Sequence, residues 1–155
     1  MRLFSKSSFD SFFLPFFGVF ASTRGYTILV LVLAQYLSAR YILAPQKTWI
    51  EHLTDHRLFL LVLASSLAIA AGYLINNFYD AEKDRINRPK QYLLHQLIAP
   101  DLQLFFYAFF NLLCLGLSFF VSYKAVLFFF VYMLAIWLYS HLLKKTFWAS
   151  NVFAA

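Results

Sequence analysis

The chain has 155 residues, of which 62% are hydrophobic and 13% charged, with a net charge of +6 and a mean hydropathy of +0.67. Soluble domains carry about 25% charge and under 50% apolar residues, so this composition excludes an ordinary soluble domain and points to a membrane protein. Basic residues beside membrane spans have a topological cause, which argues against a nucleic-acid partner, and the single cysteine, Cys114, excludes an internal disulfide or a cysteine-built zinc site.

The first apolar stretch, "SFFLPFFGVFAST", is too short to cross a bilayer and is broken by Pro15. An interfacial helix leading into the first span is expected there, in preference to a signal-peptide core. Four longer stretches follow, at about 25–44, 58–79, 102–123 and 125–143. Each approaches the roughly 20 residues that a membrane helix needs. None shows the alternation of a barrel strand. The expected fold class is therefore all-α, a polytopic transmembrane helical bundle formed as one membrane domain over residues 1–155. Arg40, near the end of the first span, can carry its charge to the interface on its long stem. The connection around Ser122 to Lys124 is so short that the third and fourth spans form an antiparallel hairpin.

Alternating loops separate the basic residues. Arg2, Lys6, Arg24, Lys83, Arg85, Arg88, Lys90, Lys144 and Lys145 fall on one side; Arg40, Lys47, Arg57 and Lys124 fall on the other. Nine against four puts the N-terminus and the loop after the second span in the cytoplasm. The expected location is an integral, multi-pass membrane protein, in the plasma (inner) membrane if bacterial.

Within the second span, "ASSLAIAAGYLINN" is rich in small residues, which let helices approach closely in lipid. The span ends in "NNFYDAEKDRINRP". Asn76, Asp80 and Asp84 lie at i, i+4 and i+8, so on a helix they drift only about 80° around the axis and form a column about 6 Å per step. Glu82 points elsewhere. An amide and two carboxylates in a column suit a divalent cation bridging to phosphate, since Mg²⁺ takes one or two carboxylates plus substrate phosphates. Asn76 sits inside the apolar run, where polar groups are functional candidates. The other reading of the cluster is a solvated juxtamembrane face.

The segment resembles the first aspartate-rich motif of the UbiA-type intramembrane prenyltransferase superfamily, with Asn76, Asp80 and Asp84 at the motif's Asn, Asp and Asp. Arg88-Pro89 resembles the Arg-Pro that often follows. Asn77 departs from the Asp common at that place. "YSHLLKK" is similar to the Tyr-Ser…Leu-Lys segment ending the family's fourth helix, through Tyr139, Ser140 and Lys144. "ASNVFAA" resembles the opening of the fifth, with Asn151 at the Asn position and Ser150 where Gly is common.

The resemblance implies Mg²⁺-dependent transfer of a polyprenyl group from a polyprenyl diphosphate to an aromatic or glycerol-phosphate-type acceptor within the membrane, in quinone or lipid biosynthesis. Asp80 and Asp84 would hold Mg²⁺ on the diphosphate, with Asn76 as a further substrate contact. Lys144 and Arg88 would be cations against the leaving group, and Tyr139 would face the allylic cation or anchor the interface. The amphipathic spacing of Leu93, Leu94, Leu97 and Ile98 predicts a short helix that could cap the site or lie on the membrane surface. The histidines make no metal set.

The family's fold has about nine helices and a second aspartate-rich motif. This sequence has four spans and no Asp-x-x-x-Asp pair besides Asp80 and Asp84. It is expected to be the N-terminal half of such an enzyme, inactive without a C-terminal half and binding donor weakly or not at all in its absence. The alternative from another class is a non-catalytic four-helix membrane scaffold or lipid-binding protein. The Asp-Gly…Ala-Arg signature of a CDP-alcohol phosphotransferase is missing.

Overall fold

A computed structural model describes residues 18, 20, 23–87, 92 and 98–141, with backbone only for 82 and 83. Apart from residues 18, 20, 23 and 98, the expected helices around 11–23 and 93–98 lie outside the described residues, as do Arg88, Lys144, Ser150 and Asn151. The described chain is helical, with no strand among the described residues. Helix α1 is Gly25–Ser38, and one turn of π-helix, Ala39–Leu43, continues it. A short α2, Trp49–Thr54, precedes α3, His56–Asn87. Helices α4, Pro100–Val121, and α5, Tyr123–His141, follow.

Four helical segments are long and apolar enough to cross a membrane: Gly25–Leu43, His56–Ala81, Pro100–Val121 and Tyr123–His141. Of the most apolar part of α3, 44% is buried, against 6% for the first segment and 11% for each of α4 and α5. The central helix is therefore α3, as its run of small residues predicts. Ala64, Ala68, Cys114 and Phe129 form the buried cluster that joins α3 to α4 and α5. Short side chains on α3 let its neighbours come close, and dispersion contacts then hold the bundle where lipid removes the hydrophobic drive.

The contacts fix the directions. Gln35 and Ser65 hydrogen-bond at 2.8 Å while Arg24 lies over Tyr73, so α1 runs antiparallel to α3. Gln103, buried near the start of α4, donates to the Leu74 carbonyl at 3.0 Å, while Cys114 further along reaches Ala64. Helix α4 is therefore also antiparallel to α3. Helix α5 runs parallel to α3, since Phe129 packs near Ala64 and Ala68 while Ser140 reaches Asn76. Up-down alternation thus gathers Arg24, the end of α3, the start of α4 and the end of α5 at one face of the bundle.

Local chemistry sets the ends. Pro100 stands in the first turn of α4, where its missing N–H costs nothing. Ser122, extended at φ −173 and ψ 157, is the one residue between α4 and α5. Its hydroxyl accepts from the Ala125 N–H at 3.1 Å and caps α5. At the far face, Thr48 and Glu51 form a reciprocal capping box that starts α2. Asp55 Oδ1 accepts from the Arg57 and Leu58 N–H groups and starts α3. The Arg40 guanidinium turns back to donate to the Pro45 carbonyl at 2.6 Å. At 32 residues, α3 is about 48 Å long and outreaches the roughly 30 Å hydrocarbon core, so its last turns stand at the membrane boundary.

Candidate active site

Helix α3 continues unbroken through Asn76, Asp80 and Asp84 to Asn87. The three side chains are half-buried. An uninterrupted helix keeps them on one side, spaced about 6 Å apart along the axis.

The column is bracketed by two other helices. From α5, the buried Ser140 hydroxyl donates to the Asn76 amide oxygen at 2.5 Å. The Asn76 oxygen is thereby committed to holding α5, and its NH₂ remains to donate elsewhere. Tyr139 is half-buried in the same final turn of α5. Beside it, His141 Nδ1 shares a 2.9 Å hydrogen bond with the Tyr79 hydroxyl, and the imidazole stacks on Trp137 with centroids 5.4 Å apart. From α1, the Arg24 guanidinium lies 5.4 Å from the centre of the Tyr73 ring. Tyr73 precedes Asn76 by three residues, so the two are neighbours on the helix surface. Arg24 holds φ 50 and ψ 57, the one positive φ among the described non-glycine residues. Such a conformation costs about 1–2 kcal/mol, and here the bond from the Thr27 N–H to the Arg24 carbonyl, at 2.8 Å, fastens the turn.

Asn77 is rotated about 100° from Asn76. It lines a separate cavity of about 330 Å³ with Ala81, Tyr92 and Gln103, on the α4 side. The position at which this sequence departs from the motif therefore lines this cavity, three residues before Asp80 and next to it on the helix surface.

Ser140 thus touches the first member of the column, and Arg24 covers Tyr73 one turn before it. Sequence reasoning named Asn76, Asp80, Asp84 and Tyr139, and the fold brings the end of α5 to Asn76. It missed Arg24, Tyr73, Tyr79 and His141 as neighbours of the column, since which faces of α1 and α5 turn inward is not written in their nearly uniform apolar sequences. Among the described residues, no three His, Cys, Asp or Glu side chains converge as a metal cage. Two carboxylates four residues apart on one helix suit a hard cation that completes its shell with water and phosphate oxygens.

No curated protein and no solved structure matches the chain. The model of the UbiA prenyltransferase family matches residues 33–155, a stretch that holds the column, Ser140 and Tyr139. On this match the chain belongs to the UbiA prenyltransferase family, whose fold is an integral bundle of membrane helices.

Proposed function

We propose that the protein acts on a polyprenyl diphosphate at the column of α3, transferring the prenyl group within the membrane to an aromatic or glycerol-phosphate-type acceptor. The observation that carries this reading is the pair Asp80 and Asp84 on one side of an unbroken helix at the membrane boundary, beside Asn76 with its oxygen already held by Ser140. Family membership supports a membrane prenyltransferase in general; the donor's head group is read from the column's own chemistry.

Asp80 and Asp84 would hold Mg²⁺, which when bound neutralises charge on the departing diphosphate. The Asn76 NH₂, free of the Ser140 contact, donates to a phosphate oxygen. Arg88 and Lys144 add fixed positive charge where the leaving group gathers electrons; such preorganised charges count for most in a water-poor site. Tyr139 presents a ring to the positive allylic carbon, since aromatic faces attract cations. As the allylic carbon–oxygen bond breaks, the acceptor supplies the electron pair for the new bond and then loses a proton. Orientation with the column in the cytoplasm follows from the distribution of Lys and Arg.

Binding of geranylgeranyl diphosphate by membranes carrying the protein tests the reading. Binding should be weak, need Mg²⁺ and stop with chelator. Binding indifferent to Mg²⁺ contradicts the column's role. No donor binding under any condition favours the scaffold alternative.

A further inference from the structure

The connection between α1 and α3 is folded back on itself. The π-turn Ala39–Leu43 is closed by a bond from the Ala44 N–H to the Ala39 carbonyl at 3.0 Å. His52, buried on α2, donates from Nε2 to the Ala44 carbonyl at 3.2 Å and pins α2 against that turn. The reciprocal bonds of Thr48 and Glu51 start α2, and the Lys47–Asp55 ion pair at 3.1 Å ties the residues that flank it. With these polar groups paired among themselves, the connection turns apolar side chains outward. Tyr41, Ile42, Leu43, Trp49, Ile50 and Leu53 are all exposed; Ile42 and Ile50 at 74% and Leu43 at 77% have little protein to pack against.

Connectivity says what meets these side chains. Leu43 closes the first membrane-crossing segment and His56 opens the second, so both ends of the connection stand at the far edge of the bilayer. Standing clear in water, the six side chains would be an unsheltered apolar surface. A short helix with Trp49, Ile50 and Leu53 on its outward face has instead the make-up of an element lying in the plane of the head groups. Tyr41, in edge contact with Trp49 at 5.9 Å, adds a second ring of the kind that concentrates at membrane–water interfaces. Lys47 and Arg57, both exposed, border the patch with positive charge at the level of lipid phosphates.

We infer that α2 and the π-turn before it form an in-plane anchor in the phospholipid head-group layer of the far leaflet, and that this anchor sets the height of the Asn76 column. At 32 residues, α3 outreaches the hydrocarbon core and by itself has no single height in the bilayer. Held at His56 in the far interface, it carries Asn76, twenty residues on, about 30 Å across, to the opposite edge of the core. Asp80 and Asp84 then stand about 6 and 12 Å beyond that edge, in the head-group layer and at its water side. That is the level of a diphosphate whose hydrocarbon chain stays in the membrane, so the anchor serves the function proposed above without depending on it.

The test uses the full chain in nanodiscs, without donor or Mg²⁺. Trp137→Phe with Trp148→Phe leaves Trp49 as the one tryptophan. Phospholipids brominated near the carbonyl end of the acyl chain should quench it about twofold or more above lipids brominated near the methyl end, and acrylamide should quench it weakly. Height is read from a spin label on Phe105→Cys, exposed on α4 two residues after Gln103, which bonds to α3; the fully buried Cys114 stays unlabelled. Its depth follows from its accessibility to oxygen against a nickel chelate. Ile50→Asp with Leu53→Asp, both at exposed positions, should draw α2 into water and move the label about 3 Å or more toward the bilayer centre, two residues of helix rise. Acrylamide quenching as free as that of indole in water overturns the anchor, as does quenching strongest from the methyl end. Quenching by no reagent puts a second copy of the chain over α2 and also overturns it. A label depth that the double substitution leaves unchanged overturns its control of height. Any of these outcomes leaves donor binding at the column untouched, and a failure of donor binding leaves the anchor standing.

Discussion

The Ser140 hydroxyl of α5 donates to the Asn76 amide oxygen of α3, 64 residues away in the chain, so one hydrogen bond ties the end of the last described helix to the first member of the column. Ser140 is 2% exposed, so water cannot replace it cheaply. Ser140→Ala and Asn76→Ala should therefore be non-additive. A double-mutant cycle by reversible unfolding in detergent should give a coupling of about 0.5–2 kcal/mol, the range for hydrogen bonds between membrane helices. Additivity within about 0.3 kcal/mol would mean that the two helices do not depend on this bond.

The alternation of helix directions predicts which residues share a membrane face. Asn87, at the end of α3, and Lys124, at the start of α5, are both exposed and belong to opposite faces. Cys114 is fully buried and should give little background. In intact cells, Asn87→Cys should resist an impermeant thiol reagent added outside, and Lys124→Cys should react. The reverse pattern would invert the proposed orientation; equal reaction would break the topology.

The far face should respond to acid. Hydrogen bonds from the Thr48 backbone and hydroxyl, with smaller help from Lys47 and His52, hold the Glu51 carboxyl below its ordinary range. The Lys47 side chain, at 3.1 Å, and the Leu58 N–H do the same for Asp55. A carboxylate with a depressed pKa stabilises its folded setting above its ordinary pKa, near 4, and that contribution is lost as pH falls through the folded value. Around neutral pH the α2 turn should be constant, and it should loosen only below about pH 4. Trp49, in edge contact with Tyr41 at 5.9 Å, offers the reading through its emission. Glu51→Gln should remove part of the transition, and a transition that this substitution leaves unchanged would contradict the assignment.

The extent of the apolar runs was legible because a membrane helix must satisfy its backbone internally, leaving little choice of structure for Leu102–Tyr123 or Ala125–Leu143. The column was legible because Asn76, Asp80 and Asp84 repeat every four residues on a single helix. Helix rotation was not. Helix α5 offers Phe, Leu, Val and Trp on every side, so nothing in its sequence says that Ser140 turns toward Asn76 and His141 toward Tyr79. The meeting of Arg24 with Tyr73 depends on the crossing of α1 and α3 and on a left-handed turn that carries no glycine signal at Arg24 itself. Helix α2 was different: Thr48 followed three residues later by Glu51 is a capping-box signature, passed over in a loop read only for its charges.

The central claim is that Asp80 and Asp84, and not simply a charged loop, hold the donor's diphosphate. Binding of geranylgeranyl diphosphate to the purified protein in nanodiscs, titrated with Mg²⁺, compares the unsubstituted chain with Asp80→Ala, Asp84→Ala and Glu82→Ala. Alanine preserves the helix, so each substitution removes a carboxylate and little else. The account predicts weak, Mg²⁺-dependent binding that falls about tenfold or more for Asp80→Ala and for Asp84→Ala and is unchanged for Glu82→Ala. Equal losses at Asp80 and Glu82, or binding indifferent to Mg²⁺, would contradict it.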